Sequence, residues 1–292
     1  MALLFSFLTW QVAADGGVRA LDERLGRSVA RPGALPSERT PSALVGRIAE
    51  LGADLGGVTA VVPVVLVAVV YAAWRGRRAR LRLWWLPPLS AVLALASVPA
   101  VVAPLKAWVG RTGPEGAPLA DGSGYFPSGH AATAAVGYGA ALVLTVFAHT
   151  ALRLGQLSKA PSAPGVPARS SAAPAAPVAS PKTAGRGPSR WTLRWATAAM
   201  AALNLAVGLG LVRRGYHWPA DVLASWCLSV VLVCGVVWSV YRALARQAPP
   251  SDGASSPAAA SCMAHSSTTG STRAPEPSGG LSHRTPPVDR PG

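Results

Sequence analysis

The chain has 292 residues and a formal net charge of +15, yet half of it is apolar and only 13% is charged. With a mean hydropathy of +0.33 and several apolar runs near the ~20 residues a helix needs to cross a hydrocarbon core, this is the composition of an integral membrane protein. The arginines cluster beside apolar runs, where they orient membrane helices, so the charge does not indicate a nucleic-acid partner. Cys227, Cys234 and Cys262 lack paired-ligand spacing, so neither a disulfide nor a structural zinc site is expected.

In chain order, residues 2–13 are apolar but short for a span, and no signal-peptide cleavage site follows them. They are expected to form a first membrane helix. Residues 15–50 mix charges with Leu, Val and Ala around Pro32, Pro36 and Pro41, which predicts an interfacial amphipathic segment. A second span is predicted over 55–74, ending in Arg75, Arg77, Arg78, Arg80 and Arg82. A third runs over 84–105 with Trp84 and Trp85 as interface anchors and with Pro87, Pro88 and Pro99 as kinks.

Residues 106–129 are rich in Gly and Pro and predict a structured loop. The fourth span is predicted from Gly129 to about Phe147, with Ser128 placed to cap it. From 155 to 190 the chain is dominated by Ala, Pro and Ser, a composition that cannot bury a core. The fifth and sixth spans cover 193–212 and 219–244, and the tail after Ala248 is expected to be disordered. The whole is an all-α, polytopic transmembrane bundle of about six spans. It divides into an N-terminal helix and interfacial segment (1–50), a core in two parts (51–154 and 191–246), a flexible loop (155–190) and a tail (247–292).

If the Arg75–Arg82 loop, the loop from Arg153 to Arg194 and the tail after Arg242 are cytoplasmic, alternation places Lys106, His130 and His217 together on the outer face. The chain has five histidines, and His149, His265 and His283 fall outside this group. Such a grouping suits a phosphate presented by a lipid, which needs positive charge on its oxygens, a nucleophile in line with the leaving oxygen and an acid to protonate it. Lys106 and Arg111, with Arg213 or Arg214, are the candidate charges. Ser128, Gly129 and His130 open a helix N-terminus that favours an anion.

Asp221, one turn after His217, is placed to hold the Nδ1 proton and free Nε2 for attack, with His130 as the acid. The blander alternatives are that Asp221 complements a helix dipole, that Lys106 and Arg111 snorkel at helix ends, and that Trp108, Trp218 and Trp226 form an aromatic belt. The arrangement demands no metal or cofactor. It leaves the oligomeric state open.

The strings Pro127-Ser128-Gly129-His130 and His217-xxx-Asp221 resemble the second and third signature motifs of the phosphatidic acid phosphatase type 2 superfamily, relatives of the vanadium haloperoxidases. The resemblance covers roughly residues 50–245. It implies a membrane lipid phosphatase in which His130 is the acid, His217 the phosphorylated nucleophile and Asp221 its orienting carboxylate. Two family arginines are missing: Gly113-Pro114 stands where the first motif has Arg-Pro, and Gly210-Leu211 where the third has Ser-Arg. Arg111 and Arg214 are the nearest substitutes. The Ala-, Gly-, Arg- and Pro-rich composition suggests a bacterial cell membrane.

Overall fold

The computed structural model describes residues 1–30, 41–116, 122–157 and 189–246, and every regular element among them is an α-helix. Three helices come first: α1 (Ala2–Ala13), α2 (Gly17–Val29) and α3 (Pro41–Asp54). Five follow that are long and apolar enough to cross a membrane: α4 (Val58–Arg78), α5 (Leu86–Val109), α6 (Gly129–Leu157), α7 (Arg190–Arg213) and α8 (Pro219–Ala245). The expected first span falls short, because the 12 residues of α1 rise only about 18 Å against a core of about 30 Å. The expected interfacial segment holds two separate helices, α2 and α3. Residues 158–188 and 247–292, which contain most of the expected loop and tail, lie outside the described residues.

Helix α6 is the hub, with 67% of its apolar window buried against 22% for α4. Its run of Ala131, Ala132, Ala134, Ala140 and Ala141 is buried, and such small side chains let α4, α5 and α8 approach closely where no water drives association. Serines add polar ties. Ser229 Oγ donates to Ser225 O at 2.7 Å, and Ser90 Oγ lies 2.7 Å from Ser239 Oγ between α5 and α8.

Pro87 and Pro88 fall in the first turn of α5, where no intrahelical partner is lost, and so begin the helix rather than kink it. Pro63, Pro99 and Pro104 are the prolines inside the described spans α4 and α5.

Helix α3 lies along the end of α7 with backbone almost touching backbone. A Cβ at Gly52 would come within 2.7 Å of Ala206 O, and one at Gly210 within 2.4 Å of Ala49 O. Only paired glycines permit this approach.

The ends of the bundle differ chemically. The α4–α5 turn, the C-termini of α6 and α8 and the start of α7 carry Arg75 to Arg82, Arg153, Arg190, Arg194, Arg242 and Arg246. Several of these lie over aromatic rings: Arg78 is 4.8 Å from the Trp74 ring centroid and Arg242 4.6 Å from that of Trp238. His149 also sits at this end, edge-on to Tyr71. Every acidic side chain among the described residues, from Asp15 to Asp221, belongs to the opposite end.

Candidate active site

The turn between α7 and α8 sets the position of His217. Gly215 adopts φ 73°, a conformation that costs glycine little. The turn that follows lets Tyr216 N and His217 N donate to Leu211 O at 2.9 and 3.3 Å. Pro219 then starts α8, and Asp221 in its first turn reaches back: Oδ2 accepts from Trp218 N at 3.1 Å and lies 3.3 Å from His217 Nδ1. One carboxylate therefore caps α8 and holds the imidazole, so the dipole and orienting roles coexist.

The start of α6 is fastened to the same turn. Ser128 Oγ accepts from Ala131 N at 3.3 Å, the expected cap. Ser128 N donates to Asp221 O at 3.1 Å, and Ser225 Oγ lies 2.7 Å from both Ser128 O and Asp221 O. Ser128 is fully buried, and these bonds serve the α6–α8 joint rather than a ligand. Gly129 differs, since a Cβ there would meet nothing within 4 Å. The space over the first turn is open.

A cavity of about 480 Å³ opens at this end of the bundle. Lys106, His130 and His217 line it, as the sequence grouped them, together with Asp54, Glu115, Tyr125 and Tyr216, which the motifs did not reveal. The Tyr125 ring stands edge-on to His217, 5.7 Å between centroids. Lys106 lies in the last turn of α5, and its carbonyl accepts from Gly110 N and Gly124 N at 3.0 and 3.2 Å. The α5–α6 loop is thereby folded back over the cavity.

The candidate arginines are not in its wall. Arg111 is 1% exposed; its Nη1 donates to Asp221 Oδ1 at 2.8 Å and its Nη2 to Asp22 Oδ2 at 2.7 Å. It lies behind the His217–Asp221 pair. Arg214 is ion-paired with Glu50, which also accepts from Tyr216 Oη at 2.9 Å. The Tyr216 bond and the Glu50 charge hold the Arg214 guanidinium above its ordinary pKa.

The positions without family arginines are filled in another way. A Cβ at Gly113 would lie 2.5 Å from the Tyr125 ring, and Leu211 packs with Val207, Val212 and Val222. Trp218, expected in an aromatic belt, is 4% exposed; its Nε1 donates to Thr112 O at 3.0 Å beneath α2. Trp108, by contrast, is exposed.

Asp22 has no motif to mark it. The signal available in the sequence was an acid one turn from Gly26 on a helix whose Leu21, Leu25 and Val29 form the apolar side. Those three are exposed, whereas Asp22 and Gly26 are buried. The face of α2 that carries Asp22 and Glu23 turns inward.

The family model of the PAP2 superfamily matches residues 87–245, more than half of the chain and the segment that carries Lys106, His130, His217 and Asp221. The chain belongs to the PAP2 superfamily. A solved structure with the same fold is described as that of the first transmembrane PAP2-type phosphatidylglycerolphosphate phosphatase, from Bacillus subtilis. It is 19% identical, with a TM-score of 0.50, and the match covers 84% of this chain and 96% of that one. No curated protein matches. Family, fold and five apolar helices make this PAP2 protein a multi-pass membrane protein.

Proposed function

We propose that this PAP2 protein hydrolyses a lipid phosphate or lipid diphosphate through a phosphohistidine at His217. The observation that carries the reading is the His217 imidazole tied through Nδ1 to buried Asp221, at a cavity that it shares with His130 and Lys106. With Nδ1 engaged, the Nε2 lone pair attacks phosphorus. The P–O bond to the lipid breaks, and the departing oxygen takes its proton from His130.

Neutral His130 then takes a proton from water as that water's oxygen attacks phosphorus. The P–N bond breaks, phosphate leaves, and both histidines regain their starting protonation. Lys106 and the first-turn amides at Gly129 and His130 stabilise the charge on the nonbridging oxygens. Nucleophile, acid and counter-charge all come from the chain itself.

The arginine-rich end of the bundle is assigned to the cytoplasm by the positive-inside rule, which puts the cavity at the outer face of a bacterial cell membrane. The fold's likeness to a phosphatidylglycerolphosphate phosphatase supports a glycerolipid phosphate, while polyprenyl diphosphates present similar charge.

A second reading has its own observation. With Arg111 and Arg214 paired to carboxylates and Asp54 and Glu115 in the cavity wall, the site suits a protein that holds a lipid phosphate without turning it over. Phosphate release from phosphatidate, phosphatidylglycerol phosphate and undecaprenyl diphosphate by purified protein separates the two. The hydrolase reading expects release by wild type and a loss of about 10³-fold or more in His217→Ala, the scale seen when a covalent nucleophile is removed. Affinity without turnover favours the binder.

A further inference from the structure

We propose that Asp22, on helix α2 and outside the region matched by the family, is a positioning residue for His217, acting through Arg111 and Asp221. The inference rests on the assignment of His217 as nucleophile.

The contacts form one continuous chain. Asp22 Oδ2 accepts from Arg111 Nη2 at 2.7 Å, Arg111 Nη1 donates to Asp221 Oδ1 at 2.8 Å, and Asp221 Oδ2 meets His217 Nδ1 at 3.3 Å. The other oxygen of Asp22 accepts from Ala220 N at 2.7 Å, an amide in the first turn of α8 that has no partner within the helix. Asp22 thus fixes Asp221 twice, through the guanidinium and through the backbone one residue before it. Asp22, Arg111 and Asp221 are all at least nine-tenths buried, so the links operate where water does not screen them.

Packing holds the helix in register. A Cβ at Gly26 would come within 2.5 Å of the Trp218 ring, and the Arg111 guanidinium carbon lies 5.3 Å from the centroid of that ring. Glu23, on the same face, comes 3.7 Å from Arg111 Nη2. The outward Leu21, Leu25 and Val29 suit a lipid surface, but an interfacial anchor has no need of a buried carboxylate ion-paired to Arg111.

Asp22 and Asp221 both hydrogen-bond the Arg111 guanidinium, with Glu23 3.7 Å away, so the charge on Asp22 bears on how strongly Arg111 draws on Asp221. Neutralising Asp22 strengthens the hold of Arg111 on Asp221, weakens the negative field at His217 and favours the neutral imidazole. The acidic limb of the kcat/KM profile should then move to lower pH. Asp54, Glu115, Tyr125, Tyr216, Lys106 and His130 face the cavity and are unchanged in the variant, as are Asp221 and Glu23 beside Arg111, so a displaced limb belongs to Asp22.

The test uses full-length protein in detergent micelles with phosphatidate, phosphatidylglycerol phosphate and undecaprenyl diphosphate as probes. Asp22→Asn is expected to lower kcat about tenfold or more, keep KM within about twofold and move the acidic limb down. Arg24→Gln, exposed on the same helix, should match wild type. If Asp22→Asn does not fold, Asp22→Glu keeps the charge but cannot hold both Arg111 and Ala220 N, and kcat should fall with the limb in place.

Wild-type kcat and an unmoved limb in folded Asp22→Asn, or wild-type kcat in Asp22→Glu where that variant stands in, overturn the inference alone when His217→Ala is inactive. Full activity in His217→Ala, or no turnover of any probe by wild type, overturns the assignment of His217 and this inference together.

Discussion

At the residue scale, Asp221 is the junction of the site: one oxygen serves Arg111, and the other serves Trp218 N and His217. The ion pair behind it is not built for stability. Burial pushes the Asp22 carboxyl above its ordinary value of 3.8, with Arg111 and the Ala220 amide pulling the other way. The native state therefore holds the Asp22 proton more tightly than the unfolded chain. Its contribution to stability is greatest below 3.8 and falls as pH rises through the window above that value.

Asp22→Asn removes this dependence, so its Tm relative to wild type should become more favourable as pH rises from about 4 to about 7. Thermal unfolding in detergent reads the difference, and a gap that is constant or shrinks with pH counts against this electrostatic account. His130, His217 and Asp221 were legible in the sequence because rare side chains stood at helix starts with fixed local spacing. Asp22 was not, because it meets Arg111 across 89 residues, and only tertiary packing makes that pair.

At the scale of elements, the five long spans were legible, four of them to within a few residues, since about 20 apolar residues leave little choice in lipid; α6 instead continues past the expected end at Phe147 to Leu157. Of the short helices, α1 was legible as a helix over residues 2–13 though not in its failure to span, whereas α2 and α3 were not separated, because charge and proline interrupt their pattern. What orders these helices is the protein beneath: Leu8 and Val12 of α1 pack with Phe126, Ala220 and Ala224, and α3 lies in the glycine-lined crossing on α7. That crossing also gives a physical reason for one departure from the family motif, because Gly210 is where Ala49 O comes closest. Gly210→Ala should force α3 away from α7 and cost about 1–3 kcal/mol of stability, the usual range for overpacking. An unchanged thermal midpoint in detergent would show that α3 is not held there.

At the scale of the whole molecule, the described acids are confined to the cavity end of the bundle, and the opposite end carries arginines without acids, which gives the molecule a direction. In a background with Cys227, Cys234 and Cys262 replaced by Ser, Thr112→Cys should react with a membrane-impermeant maleimide in intact cells, whereas Arg78→Cys should react only after lysis. The opposite pattern reverses the orientation but leaves the chemistry intact. The chemistry itself is tested most directly by mass spectrometry of protein quenched at high pH during turnover of a lipid phosphate, conditions under which a phosphohistidine survives. Phosphate is expected on His217 in wild type and absent in His217→Ala. Turnover with phosphate on another residue, or continued turnover by His217→Ala, would contradict it.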